Sequence, residues 1–79
     1  MIRLSTHAEA RAAERGIRRA WIEAAILTPD LTGADPDPAL THSYKAISAF
    51  ADRVLRVVHR RDGDDMIVVT AHFDRSAGR

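Results

Sequence analysis

The sequence predicts an α+β domain in which two N-terminal helices pack on one face of a three- to four-stranded antiparallel sheet. In the first 28 residues, apolar side chains recur at helical spacing, whereas from residue 41 onward they alternate with polar ones, as in strands. Between the two halves, the run GADPDP is rich in turn-forming residues and indicates a loop. A chain of 79 residues is expected to form one domain, 1–79, with a small core.

Composition narrows the classes of function. The chain has no cysteine, which excludes disulfides and thiolate metal sites. It has no apolar run of membrane-spanning length and no signal-peptide core, so we expect a cytoplasmic protein that does not contact membranes. The net charge of +1 argues against a strongly electrostatic nucleic-acid binder. However, five arginines lie between Arg3 and Arg19, so a local basic surface is expected.

The first helix is predicted over 6–15. Residues 1–4 are too few to assign from alternation, and a leading strand is one interpretation of them. Thr6 can cap the helix with its hydroxyl, and Glu9 stands three residues later, where a capping box needs a carboxylate. Gly16 stands where a left-handed residue closes a helix, and Ile17 can then pack back on the last turn.

The remaining elements follow from periodicity and turn residues. A second helix begins at Arg18 or Arg19 and runs to about Thr28, because Pro29 pushes the residue before it out of helical space. The segments after it are predicted as follows: a loop over 30–40, a strand over 41–50, a turn at 51–52, a strand over 54–60, a hairpin loop over 61–65, a strand over 66–73 and a fraying tail over 74–79.

Alternation assigns the strand residues to faces. Ile67, Val69, Ala71 and Phe73 form an apolar face that should pack on the helices, which leaves Met66, Val68, Thr70 and His72 on the other face. In the preceding strand, Val54, Arg56, Val58 and Arg60 share one face. His59 falls on the opposite face with Leu55 and Val57, so a partly buried or rim histidine is expected there rather than a catalyst.

Two groups of polar residues carry candidate chemistry. His7, Arg11 and Arg15 are spaced four apart, which places them in a row on one helical face. One imidazole and two guanidiniums suit a phosphate. The sheet adds Arg56, Thr70 and His72. An imidazole can transfer protons and arginines can stabilise charge on phosphorus, so these parts suit metal-free RNA cleavage that needs no cofactor.

Each of these residues also has a structural interpretation. His7 can be a surface or capping residue. Arg11 and Arg15 can form a solvated stripe paired with acids, or Arg15 can fold over the sheet edge. Arg56 and Arg60 can be solvated residues of an exposed sheet face. Thr70 and His72 can form a polar pair. The four histidines lack metal-ligand spacing, so no metal site is predicted.

Three stretches, THAEARAAERGI, WIEAAILTPD and DRVLRVVHRRDGDDMIVVTAHFDR, together resemble the short bacterial proteins grouped as domain of unknown function 4258. The likeness covers 4–75. That family is similar to the RelE and BrnT toxins and to the wider barnase, colicin and RelE ribonuclease fold. The resemblance implies a RelE-like fold and the toxin half of a toxin–antitoxin pair, with a cognate antitoxin as partner. It maps onto His7, Arg11, Arg15, Arg56 and Thr70, while His72 stands at a position that varies in that family.

The leading hypothesis is therefore a metal-independent endoribonuclease toxin that cleaves RNA by 2′-hydroxyl attack. His7 would transfer the proton, Arg11, Arg15 and Arg56 would hold the scissile phosphate, and Thr70 and His72 would support them. Further contacts to RNA are predicted for Arg18, Arg19 and Arg60. One alternative is a non-catalytic RNA- or protein-binding module of the same fold. Another is an interaction protein whose strand edge pairs with a partner or with a second copy as a homodimer.

Overall fold

The computed structural model describes residues 1–74. Of the predicted tail over 74–79, only Asp74 is among the described residues. Within this range the chain forms two helices and five strands: β1 (Ile2–Leu4), α1 (Thr6–Arg15), α2 (Arg19–Leu27), β2 (Leu31–Ala34), β3 (Thr41–Ile47), β4 (Arg53–Asp62) and β5 (Asp65–Phe73). The strand order is β1-β5-β4-β3-β2. The α+β class is confirmed.

The sheet differs from the prediction in strand number and direction. Over residues 1–74 it is a mixed sheet of five strands, because β1 pairs in parallel with β5 while the other pairs are antiparallel. The strand β2 lies inside the predicted loop 30–40. Its sequence, LTGA, is short and contains a glycine, so it carries almost no strand signal of its own, and pairing with β3 specifies it.

The helix α1 begins and ends at specific caps. The prediction of Thr6 as the cap was wrong by one residue: Ser5 is the N-cap, and its hydroxyl accepts a hydrogen bond from the Ala8 amide at 3.0 Å. Glu9 is therefore one position too late for a capping box. At the other end, the prediction is confirmed: Gly16 is left-handed, with φ 65°, and the Ile17 amide donates to the Ala12 carbonyl at 2.9 Å in a Schellman arrangement.

A β-bulge at Val69 changes the facing of β5. Val58 pairs with Thr70, but the next residue of β4, His59, pairs with Val68, so Val69 is the extra residue. Side chains in the first half of β5 therefore face the side of the sheet opposite to the one that simple alternation from the second half predicts. Val68 and Ala71, three residues apart, are both fully buried in the same core. The predicted apolar face was thus wrong at Ile67 and Val69, and Met66 and Val68 take the helix side instead.

The connection before β4 is longer than predicted, and the connection after it is shorter. The strand β3 ends at Ile47, not at residue 50, and a single 3₁₀ turn over Ser48–Phe50 follows it. Ala51 and Asp52 then adopt left-handed backbone, with φ 55° and 56°. Between β4 and β5 the hairpin turn has two central residues, because Asp62 pairs with Asp65. Gly63, with φ 61°, supplies the positive φ at its first central position.

Both helices cover one face of the sheet. Buried alanines on α1 let that helix approach β5 closely, while α2 packs on β3 and β4. One apolar core results. Its buried members are Ala8, Ala12, Ile17, Ile22, Ala25, Ile47, Leu55, Val57, Val68 and Ala71. The opposite side of the sheet carries no helix within residues 1–74, and we call it the open face.

Candidate functional site

Polar side chains converge on the open face of the three central strands. The register places Arg56 of β4 directly between Tyr44 of β3 and His72 of β5, and it pairs Val58 with both His42 and Thr70. Paired residues lie on the same face of a sheet. The prediction that Arg56, Thr70 and His72 share a face is therefore confirmed.

Arg56 is at the centre of this group and is held on several sides. Its Nε–H donates to Nδ1 of His42 at 2.9 Å, and its Nη1 donates to the carboxylate of Asp74 at 3.2 Å. The guanidinium also stacks on the ring of Tyr44, 5.3 Å from its centroid. The side chain is half-buried, so its charge is screened less than that of a surface arginine.

His72 lies directly across from Arg56 and is half-buried. Burial lowers its pKa below the ordinary value of 6.5, and the positive charges of Arg56 and Arg15 lower it further, while Asp74 opposes them. The imidazole is thus favoured in its neutral form near pH 7. A neutral imidazole can accept a proton, and guanidiniums close to it can bind an anion.

Arg15 reaches this group from the helix side. Its Nη1 donates to the carbonyl of Ala71 at 2.9 Å, on the part of β5 that lies beyond its pairing with β1. This is the sheet-edge position that the sequence left open as the structural alternative for Arg15. The same contact brings its charge close enough to His72 to lower the pKa of that imidazole. Arg56, across the sheet from His72, and Arg15, hydrogen-bonded to the residue before His72, therefore come from the two halves of the chain.

The other two members of the predicted helix row do not share a described contact with this group. His7 is exposed in the first turn of α1. Arg11 pairs with Glu14 on the same helix at 2.9 Å, which is the paired-stripe arrangement that the sequence also allowed. Of the row, Arg15 is the member whose hydrogen bond, among those described, connects α1 to the sheet.

The residues predicted for further RNA contacts are spread over both sides of the sheet. Arg60 is exposed on the open face, opposite Ile67. Arg18 precedes α2 on the helix side and stacks on Trp21, 5.9 Å from the ring centroid. Arg19 pairs with Glu23 of α2 at 2.9 Å. A single flat surface does not include all three arginines.

His59 lies on the opposite side of the sheet from His72. Only 6% of it is exposed. Its Nε2 is 2.7 Å from the Ser43 hydroxyl, and its Nδ1 is 3.0 Å from the sulfur of Met66. Burial lowers its pKa, so it stays neutral in the core. The prediction that His59 faces the side of Leu55 and Val57 is confirmed, but the residue is buried and does not lie at a rim.

Sequence reasoning missed three residues of the site: Asp35, His42 and Tyr44. The predicted strand over 41–50 ran past its end at Ile47, and no pairing with β4 was predicted, so the histidine and the tyrosine were not placed beside Arg56. Alternation within THSYKAI does separate His42 and Tyr44 from Ile47, which is buried in the core. A strand ended at Ile47 would have found both. Asp35 follows a strand that the sequence did not reveal.

Two general properties of the described residues bear on the class of site. In residues 1–74, neither helix is long and hydrophobic enough to span a bilayer. Over the same residues, His, Asp and Glu side chains do not form a group of three or more suited to a metal ion.

Comparison with known proteins gives one match. No curated protein and no solved structure matches the chain. A family model described as a domain of unknown function, DUF4258, matches residues 4–73, a range that contains both helices, the strands β2 to β5 and the residues around Arg56 except Asp74. The chain belongs to the DUF4258 family.

Proposed function

We propose that this protein is a metal-independent endoribonuclease, the toxin of a bacterial toxin–antitoxin pair related to RelE and BrnT, and that it cleaves RNA by 2′-hydroxyl attack. The observation that carries the proposal is the arrangement around His72. Its imidazole is favoured as neutral, Arg56 of β4 pairs with His72 across the sheet, and Arg15 of α1 donates a hydrogen bond to the carbonyl of the preceding residue, Ala71.

In the proposed reaction, neutral His72 accepts the proton of the 2′-hydroxyl as its oxygen attacks the adjacent phosphorus. The bond from phosphorus to the 5′ oxygen breaks, and that oxygen takes a proton from solvent. The products are a 2′,3′-cyclic phosphate and a 5′-hydroxyl end. Arg56 and Arg15 stabilise the charge on the phosphoryl oxygens, because guanidiniums donate two parallel hydrogen bonds to such anions.

This assignment moves the proton-transfer role from His7 to His72. His7 is exposed on α1, whereas burial and two neighbouring cations tune the pKa of His72. Thr70, two residues along the same face, keeps its predicted supporting role. Arg11 is paired with Glu14 and would have to leave that pair to contact RNA.

The test is cleavage of single-stranded RNA by the purified protein in EDTA. Removing the proton acceptor with His72→Asn is expected to lower the rate by about 10²–10⁴-fold. Arg56→Gln is expected to lower it by about 10²–10³-fold, as when one transition-state donor is lost. An RNA with a single 2′-deoxy position should resist cleavage there.

Matched controls separate the site from general charge effects. Arg61→Gln removes the same charge from an exposed position on β4, opposite Met66 on the helix side, and should leave the rate nearly unchanged. His7→Asn should also cut normally if His72 is the base. Intact RNA with the wild-type protein, together with normal growth on expression, would remove the basis of the proposal.

The ion pair between Arg56 and Asp74 favours one alternative, a binding module without catalysis, because a carboxylate already occupies part of the arginine. Salt-dependent binding of RNA without cleavage would support that alternative. The cognate antitoxin and a homodimer both stay predictions. The strand β2, at the edge of the sheet with Leu31 exposed, is the edge that we propose for either partner.

A further inference from the structure

We propose that His42 and Asp35 are positioning residues that hold the Arg56 guanidinium beside His72. Neither residue has a role in the reaction proposed above. The inference concerns how the site is kept in shape, and only its activity readout rests on the proposed function.

The hydrogen bonds fix the tautomer of His42. The Nε–H of Arg56 can only donate, so Nδ1 of His42, 2.9 Å away, must accept and carries no proton. A neutral imidazole then has its proton on Nε2. That nitrogen lies 2.6 Å from Oδ1 of Asp35, to which it donates. The two contacts require the same tautomer, so the arrangement is self-consistent.

Asp35 is itself anchored, so the chain of contacts starts from the backbone. Its other carboxylate oxygen, Oδ2, accepts from the Asp37 amide at 2.9 Å. The hydrogen bond from His42 and that from the Asp37 amide lower the pKa of Asp35, which keeps its carboxylate ionised. A fixed acceptor of this kind orients the imidazole, which in turn presents Nδ1 to Arg56.

Arg56 needs such support because a free arginine side chain populates many rotamers and loses conformational entropy on becoming ordered. Among residues 1–74, His42 and Asp74 accept from two of its five N–H donors, and Tyr44 covers one side of the guanidinium. Asp74 alone would let the Nη1 end pivot. The bond at Nε, close to the aliphatic stem, fixes the plane of the group.

The test measures the pKa of His72 by NMR, which needs no RNA. His42→Phe keeps a ring but removes the acceptor, so Arg56 should move away from His72. The pKa of His72 should then rise by about half a unit, roughly a threefold gain in proton affinity, because the cation that lowers it has moved away. His42→Asn places an amide oxygen near the position of Nδ1 and should restore the wild-type pKa.

His7→Phe is the matched control, because it makes the same substitution at an exposed helix position and should leave the pKa of His72 unchanged. An unchanged pKa in a folded His42→Phe protein would overturn the proposal. So would ¹⁵N shifts that place the proton of wild-type His42 on Nδ1. If the phenylalanine variant fails to fold, Asp35→Ala tests the same point. In that variant we expect mixed tautomers of His42 and a raised pKa of His72. A single, unchanged tautomer of His42 would contradict the proposal.

If the protein cleaves RNA, His42→Phe should lower kcat by roughly tenfold or more with a smaller change in KM, because a misplaced group costs transition-state stabilisation. His42→Asn should recover most of that loss. If the wild-type protein does not cleave RNA, only the nuclease proposal is rejected. The NMR measurement tests the positioning of Arg56 by His42 independently of cleavage.

Discussion

His42 and His59 lie on adjacent strands and face opposite sides of the same sheet. Both rings have hydrogen-bond partners at both nitrogens. On the helix side, the partners of His59 are a hydroxyl and a thioether, both neutral. On the open face, His42 joins a carboxylate to a guanidinium. The same residue type thus completes an uncharged core contact on one side and connects two charges on the other.

The difference shows that a histidine's partners, more than its burial, distinguish an uncharged core contact from a contact that connects two charges. His42 and His59 are about equally buried, at 8% and 6% exposed. A buried neutral pair contributes mainly by satisfying polar groups that would otherwise be costly in the core. A buried charged chain restricts the orientation of its terminal group, here Arg56. Three changes would sharpen or break this comparison, and they are given from the largest expected effect to the smallest.

Ser43→Ala should have the largest effect, on stability. It leaves Nε2 of His59 without the hydroxyl that now lies 2.7 Å away, and an unsatisfied buried group costs about 1–3 kcal/mol. Urea unfolding at pH 7.5 measures this loss. Thr41→Ala, at an exposed position on the same strand, is the control and should change stability by less than about 0.5 kcal/mol. Equal losses in the two variants would mean that the Ser43–His59 pair contributes nothing specific.

Acid should destabilise the fold through His59 before the carboxylates titrate. The pKa of His59 is lowered in the folded state by burial, and secondarily by His42, so the unfolded chain binds protons first. Its contribution to stability is therefore present above about pH 6.5 and is lost as pH falls through the folded-state pKa, with a slope of at most about 1.4 kcal/mol per pH unit.

His72 adds to this slope with the same sign, but less, because it is half-exposed and solvent screens its neighbours. Unfolding free energies at pH 7.5, 6.0 and 5.0 measure the combined effect, and His72→Asn should remove only the smaller share. Stability that stays constant or rises between pH 6.5 and 5.0 would contradict the assignment of a neutral core histidine.

Asp74→Asn should have the smallest effect, confined to the open face. The Asp74 carboxylate raises the pKa of His72, so its removal should lower that pKa by a few tenths of a unit. It should also strengthen binding of inorganic phosphate, because the anion no longer competes for Nη1 of Arg56. NMR titration measures both quantities, and the pKa of His59, on the other face, should stay constant. Weaker phosphate binding would indicate that Asp74 positions Arg56 instead of competing with its ligand.

Sequence patterns of a few neighbouring residues were sufficient to predict the end of α1 and the facing of the second half of β5. Gly16 and Ile17 identified the end of α1, since only a left-handed residue followed by an apolar one closes a helix in that way. Alternation put Arg56, Thr70 and His72 on one face because the bulge lies outside the segment that they share.

Tertiary pairing determined the rest. The bulge at Val69 has no signature in the apolar run MIVV, so the facing of the first half of β5 could not be read from it. The neighbours of Arg56 depended on where β3 ends. Ala51 and Asp52 are both left-handed, a conformation that residues other than glycine adopt uncommonly and that the sequence therefore does not predict. Asp35 is separated from Arg56 by 21 positions and reaches it only through the imidazole of His42.

The extra residue in β5 has a consequence for how this chain tolerates change in length. Replacing an amino acid there alters one side chain, but removing Val69 would restore strict alternation across the whole strand. Val68 would then leave the hydrophobic interior, or Ala71 would leave it and His72 would turn away from Arg56. In this strand the number of residues, more than their identity, determines that Val68 and Ala71 face the core while His72 faces Arg56.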